Sequence, residues 1–131
     1  MKTEIVLQRS ERTFQVWEYE VSHQRLLIRS PRKPAAEERP ELTTNLDISC
    51  WGVEYMAIPK LFRGLELDSP TSSEIQHLEM LLGRTIPAKR ILILSSQGKR
   101  FSLVAESFSF FENDWDIFDS PIEFRSGFRS E

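Results

Sequence analysis

A chain of 131 residues has the size of one domain, and such a chain buries about two-thirds of its unfolded surface, enough to fold without metals or disulfides. Seventeen Lys and Arg against 20 Asp and Glu leave a net charge of −3, which lacks the cationic excess of a nucleic-acid binder. Cys50 is the single cysteine, so an intrachain disulfide and the common Cys/His zinc sites are excluded.

Residues 1–131 read as a single domain. Residues 3–8 predict a short strand, and residues 13–21, carrying Phe14, Val16, Trp17, Tyr19 and Val21, a stronger one. Ser22, His23 and Gln24 then connect tightly to a strand over 25–29, a hairpin ended by Pro31. Residues 30–41 hold three prolines, mixed charges and two alanines. Such a segment buries too little to offset its ordering entropy, and a mobile Pro-rich loop is expected.

Over residues 42–58 the apolar positions change parity: Leu46, Ile48 and Cys50, then Trp51, Val53, Tyr55 and Ala57. Side chains of a strand alternate with period two, so this handover predicts a long strand bent at a bulge, with Gly52 suited to the bend. Residues 61–67 form a further strand, with Leu65 and Leu67 on one face. A helix is predicted over 72–82: Thr71 and Glu74 have capping-box spacing, and Ile75, Leu78 and Leu82 make an apolar stripe widened by Leu81. Gly83 falls just past its end, where a left-handed residue is favoured, and His77 points away from the stripe.

Ile91, Leu92, Ile93 and Leu94 run without alternation, as in a strand covered on both faces. Residues 96–99 form a hairpin turn into a second bent strand, where Phe101, Leu103 and Ala105 hand over to Phe108 and Phe110. Asn113 and Asp114 mark a turn before an irregular edge strand over 115–124, and the last six residues are expected to fray. The fold class is strand-rich α+β: a curved, mainly antiparallel sheet or partial barrel with one packed helix.

No residue is singled out as catalytic, metal-ligating or cofactor-binding. Cys50 lies in an apolar stretch and reads as a small buried hydrophobe. His23 reads as a turn residue, and the five glycines are too scattered to cradle a phosphate. Glu112, Asn113, Asp114, Asp116 and Asp119 are the densest acidic cluster. They lack the regular spacing, central glycine and closing glutamate of a calcium loop, and read as a solvated turn.

The run from Tyr19 to Arg29, Tyr-Glu-Val-Ser-His-Gln-Arg-Leu-Leu-Ile-Arg, resembles the strand–turn–strand of bacterial pleckstrin-homology-like domains. Those domains place their helix at the C-terminal end, whereas the helix here is internal, so no ligand or site is carried over.

The aromatic strand residues Trp17, Tyr19, Trp51 and Tyr55 form the candidate binding surface, because Trp and Tyr join large apolar area to a polar handle. The leading expectation is a non-catalytic module that recognises another protein or a second copy of itself through a sheet edge. A small-ligand carrier using the inside of the curved sheet is the alternative, followed by a small enzyme acting through His23, Cys50 or the acidic cluster. The N-terminus lacks a targeting pattern and no apolar run reaches membrane-span length, so a cytoplasmic location is expected.

Overall fold

A computed structural model of the chain describes residues 2–116; the expected strand over 115–124 falls largely outside them, as do Asp119 and the last six residues. The sheet has nine strands among the described residues: β1 (Lys2–Glu4), β2 (Arg9–Glu20), β3 (Arg25–Ser30), β4 (Asn45–Trp51), β5 (Tyr55–Ala57), β6 (Leu61–Asp68), β7 (Ile91–Ser96), β8 (Lys99–Val104) and β9 (Ser107–Asn113). Their order is β1-β9-β4-β3-β2-β6-β7-β8-β5, and every neighbouring pair is antiparallel. One helix, α1 (Ser72–Leu82), and a 3₁₀ turn (Ala88–Arg90) join β6 to β7.

The curvature comes from the two long bent strands. β4 pairs with β9 and β5 with β8, yet β4 runs into β5 and β8 into β9. The sheet therefore curls until its two ends meet at this corner, without closing into a continuous ladder. Trp51 lies opposite Ser107 and Tyr55 opposite Val104, so three residues on one side of the corner face two on the other. Glu106 N donates to Trp51 O at 2.9 Å and Glu54 N to Val104 O at 2.8 Å, carrying the pairing around the bend. Gly52 sits there with φ of +62°, a left-handed conformation that costs glycine little. A Cβ at this position would also lie 2.6 Å from Glu106 Cγ.

The corner corrects the expected handover of inward residues. Only Val53 of the second set joins the main core; Trp51 is exposed, Tyr55 packs against the helix side and Ala57 is exposed. The chain breaks and turns at Gly52 rather than shifting face by one residue and continuing. Across the corner, Leu103 and Ala105 are core residues and Phe101, Phe108 and Phe110 pack on them, as the alternation implied. The first strand is also shorter than expected, since β1 ends at Glu4.

Inside the curl, Phe14, Leu26, Ile28, Ile48, Cys50, Phe62, Leu65, Leu94 and Leu103 form the main core. Phe62 and Phe101 meet edge to face, with ring centroids 6.0 Å apart. Phe62 and Leu65 both reach this core although three residues apart, because β6 kinks at Gly64, whose φ is +79°, opposite a bulge of β2 where Ser10 pairs with Leu65 and Thr13 with Arg63.

A second core lies on the outer face, where Leu78 of α1 packs with Ile86, Ile91, Ile93 and Val104. β7 is thus covered on both sides: Leu92 and Leu94 face the first core, Ile91 and Ile93 the second. Thr71 Oγ1 accepts from Glu74 N at 3.1 Å while Glu74 Oε1 accepts from Thr71 N at 2.9 Å, completing the capping box. Gly83 closes the helix at φ of +70°. The stripe is narrower than expected, because Leu81 is 53% exposed while Ile75 and Leu82 flank Leu78.

The proline-rich segment is exposed but its backbone is paired. Lys33 and Leu42 exchange reciprocal hydrogen bonds of 2.9 Å, and Ala36 and Arg39 do so at 2.9 and 3.1 Å. Its main chain satisfies itself locally where its side chains supply no core.

Candidate functional site

The aromatic residues of the candidate surface are dispersed by local backbone irregularities. Val16 pairs with Ile28 but Glu18 with Leu27, so Trp17 is the extra residue of a bulge. The bulge carries Tyr19 to the side of Leu26 and Cys50, at the rim of the curl. Trp17 lies on the opposite side, where the Arg29 guanidinium sits 5.7 Å from its ring centroid. Tyr55 is committed to the helix-side core.

Trp51 remains accessible at 38%, and Tyr19 at 37%. The Arg25 guanidinium stacks 3.5 Å from the centroid of the Trp51 ring. A cation over the ring face is attracted by its quadrupole and holds the indole in one orientation. Val21, in the β2–β3 turn, is exposed, and Gln24 O of the same turn accepts from Val53 N at 2.8 Å, which ties the turn to the corner after Trp51. The turn is ordered by Glu20, whose carboxylate accepts from the backbone amides of Ser22 at 2.7 Å and His23 at 2.8 Å. Hydrogen bonds from Ser22 and His23 hold the Glu20 carboxyl below its ordinary pKa despite some desolvation. Arg25 and Trp51 thus meet at one end of the sheet, on the face opposite the one that Tyr19 shares with Leu26 and Cys50, and Tyr55 does not join them.

The groups considered for catalysis occupy unlike settings. Cys50 is fully buried, and burial pushes its thiol up to about 12, which removes the thiolate that reactivity requires. His23 lies on the exposed turn, its Nδ1 2.9 Å from Glu20 Oε1. Of the acidic stretch, Glu112 accepts from Thr44 Oγ1 at 2.6 Å, and Asp114 and Asp116 are exposed. Asn113, expected in a solvated turn, instead ends β9 and is buried. Among the described residues, no group of three or more His, Cys, Asp or Glu is placed to hold a metal ion.

Asn113 belongs to a buried polar cluster that sequence reading missed. Asp47 accepts from Arg29 Nε at 2.7 Å, Arg29 Nη2 at 2.9 Å and Asn113 Nδ2 at 2.9 Å. Asn113 Oδ1 in turn accepts from Asn45 Nδ2 at 2.8 Å. Arg29, Asp47 and Asn45 are fully buried. The cluster links β3, β4 and β9, and its register pairs Arg29 with Asp47 directly. The legible signal was an arginine following three apolar residues in a strand; nothing local named its partner.

Arg12 was also missed. It bridges the bulge of β2 to the start of the proline-rich segment, donating from Nε to Ser30 Oγ at 2.9 Å and from Nη2 to Thr44 O at 2.6 Å. Burial lowers its pKa, opposed by the charges of Glu112 and Asp47. Beside it opens a cleft of about 520 Å³ lined by Glu11, Arg12, Thr13, Ser30, Lys33, Arg39, Pro40 and Leu42.

No protein-family model, curated protein or solved structure matches this chain. No helix among the described residues is long and apolar enough to cross a membrane.

Proposed function

We propose that the chain is a non-catalytic protein-interaction module whose contact surface is centred on the Arg25–Trp51 stack beside the β2–β3 turn. The observation that carries this reading is the accessible Trp51 ring stacked under Arg25. Trp, Tyr and Arg dominate the energetics of protein interfaces, and a side chain already held in place loses less entropy when a partner covers it. The interior of the curl is filled by Phe14, Phe62 and aliphatic side chains, which favours a surface role over an enclosed-ligand role.

A photo-crosslinking amino acid at position 21 tests this in native cells, with position 80 as control. Met80 is strongly exposed on the helix and is not part of the proposed contact. A discrete adduct from position 21, lost on Trp51→Ala and absent from position 80, is the expected result. An adduct of twice the chain mass identifies the partner as a second copy. Equal labelling from both positions, or an adduct indifferent to Trp51→Ala, refutes the assignment.

A further inference from the structure

We infer that the cleft between the bulge of β2 and the paired 33–42 segment binds a small phosphate monoester, a role independent of the interaction surface. Three cations, Arg12, Lys33 and Arg39, line it against a single carboxylate, Glu11, and Pro40 and Leu42 supply an apolar wall. At about 520 Å³ the cleft has the size of a small-molecule site.

The second observation is Arg39 Nη1, which is closed off from solvent and has no hydrogen-bond acceptor. A shielded guanidinium N–H without an acceptor is costly, and a native structure rarely leaves one unmet. Arg39 is only partly buried and lines the cleft, so a turn of its guanidinium brings Nη1 to an anion seated there. Arg12 is already fixed through Nε and Nη2 by Ser30, Pro31 and Thr44, so it loses little freedom in meeting a ligand through Nη1. Arg39 and Lys33 are placed by the two backbone bridges of the segment. Apart from that turn of Arg39, the cleft is assembled before the ligand arrives.

Charge selects the ligand class. Three cations less one carboxylate leave an excess of two positive charges, matching a phosphate monoester, which carries close to two negative charges near neutral pH. A carboxylate would neutralise half of that excess. Planar guanidinium groups also suit the paired oxygens of phosphate. The net charge of −3 on the whole chain opposes a long polyanion and confines the reading to a small molecule. The ester's organic part lies along Pro40 and Leu42.

The test is a titration of ¹⁵N-labelled protein with phenyl phosphate and with inorganic phosphate, followed through arginine Nε–H and backbone amide signals. Sodium chloride at matched ionic strength is the blank. Saturable shifts at Arg12, Arg39 and residues 33–42 are expected, with the ester binding more tightly than inorganic phosphate. Arg39→Gln weakens the ester at least about tenfold, the worth of a charge-assisted hydrogen bond. Lys33→Gln, at an exposed position where folding is not at stake, weakens it severalfold. Non-saturating shifts equal to those in chloride overturn the proposal, as does unchanged affinity in both variants.

Discussion

Replacing Asp47 by Ala leaves the Arg29 guanidinium charged inside the sheet without its bidentate partner. Both side chains of the pair are fully shielded from solvent, and their contacts are 2.7 and 2.9 Å. Removing one member of such a pair costs about 3–5 kcal/mol, chiefly because the remaining ion stays desolvated. Asn113 Nδ2 also loses its acceptor, a loss falling within the same figure. A domain of this size has a total stability of about 5–15 kcal/mol, so the loss is a large share of it. Urea denaturation at low temperature, followed by tryptophan fluorescence, reads the change; Trp17 beside Arg29 makes the probe local. With a slope of about 2 kcal/mol/M, the midpoint falls by about 2 M. The double variant Arg29→Met, Asp47→Leu recovers at least half of the loss, since neither buried charge of the pair remains. A single-variant cost under about 1 kcal/mol, or a double variant as unstable as the sum of the singles, would refute the reasoning.

Three further outcomes are expected. Leu78→Ala, at a site 1% exposed between the helix and β7–β8, lowers stability by about 2–5 kcal/mol in chemical denaturation; a neutral result would show that the helix is not seated there. Glu74, held at about 2 by hydrogen bonds from Arg100 and Thr71, favours folding once ionised: its contribution is complete above the unfolded-state value near 4.3 and fades as pH falls toward 2. Partial exposure limits this to roughly 1 kcal/mol, so Glu74→Gln should flatten the acid limb of a stability–pH curve, and an unaltered limb counts against it. Cys50 should react with a thiol reagent only as fast as the protein opens; rapid labelling of the folded protein contradicts its buried, protonated state.

The elements that sequence reading located are those whose signal is local. The Thr71–Glu74 capping box and Gly83 lie within a dozen residues and set both helix ends through backbone groups they reach directly. The unbroken Ile91–Leu94 run reports burial on both faces of β7 wherever that strand lies in the sheet. The two apolar handovers showed that the sheet bends and near which residues, because alternation is a property of the strand itself. They did not show that the first strand breaks at Gly52, with its two halves pairing at different ends of the strand order.

The sequence by itself determined the helix with its caps, most of the strands, their turns and the strand-rich α+β class, since propensity and periodicity act over a few residues. The tertiary structure alone decided which aromatic residues share a surface. One unpaired residue at Trp17 parts it from Tyr19, and the corner at Gly52 sends Trp51 and Tyr55 to different neighbours. It also decided that Arg29 meets Asp47, 18 residues away, and that Arg12, Lys33 and Arg39 line one cleft. Such pairings depend on register and curvature, which are set by the packing of the whole sheet rather than by any one strand.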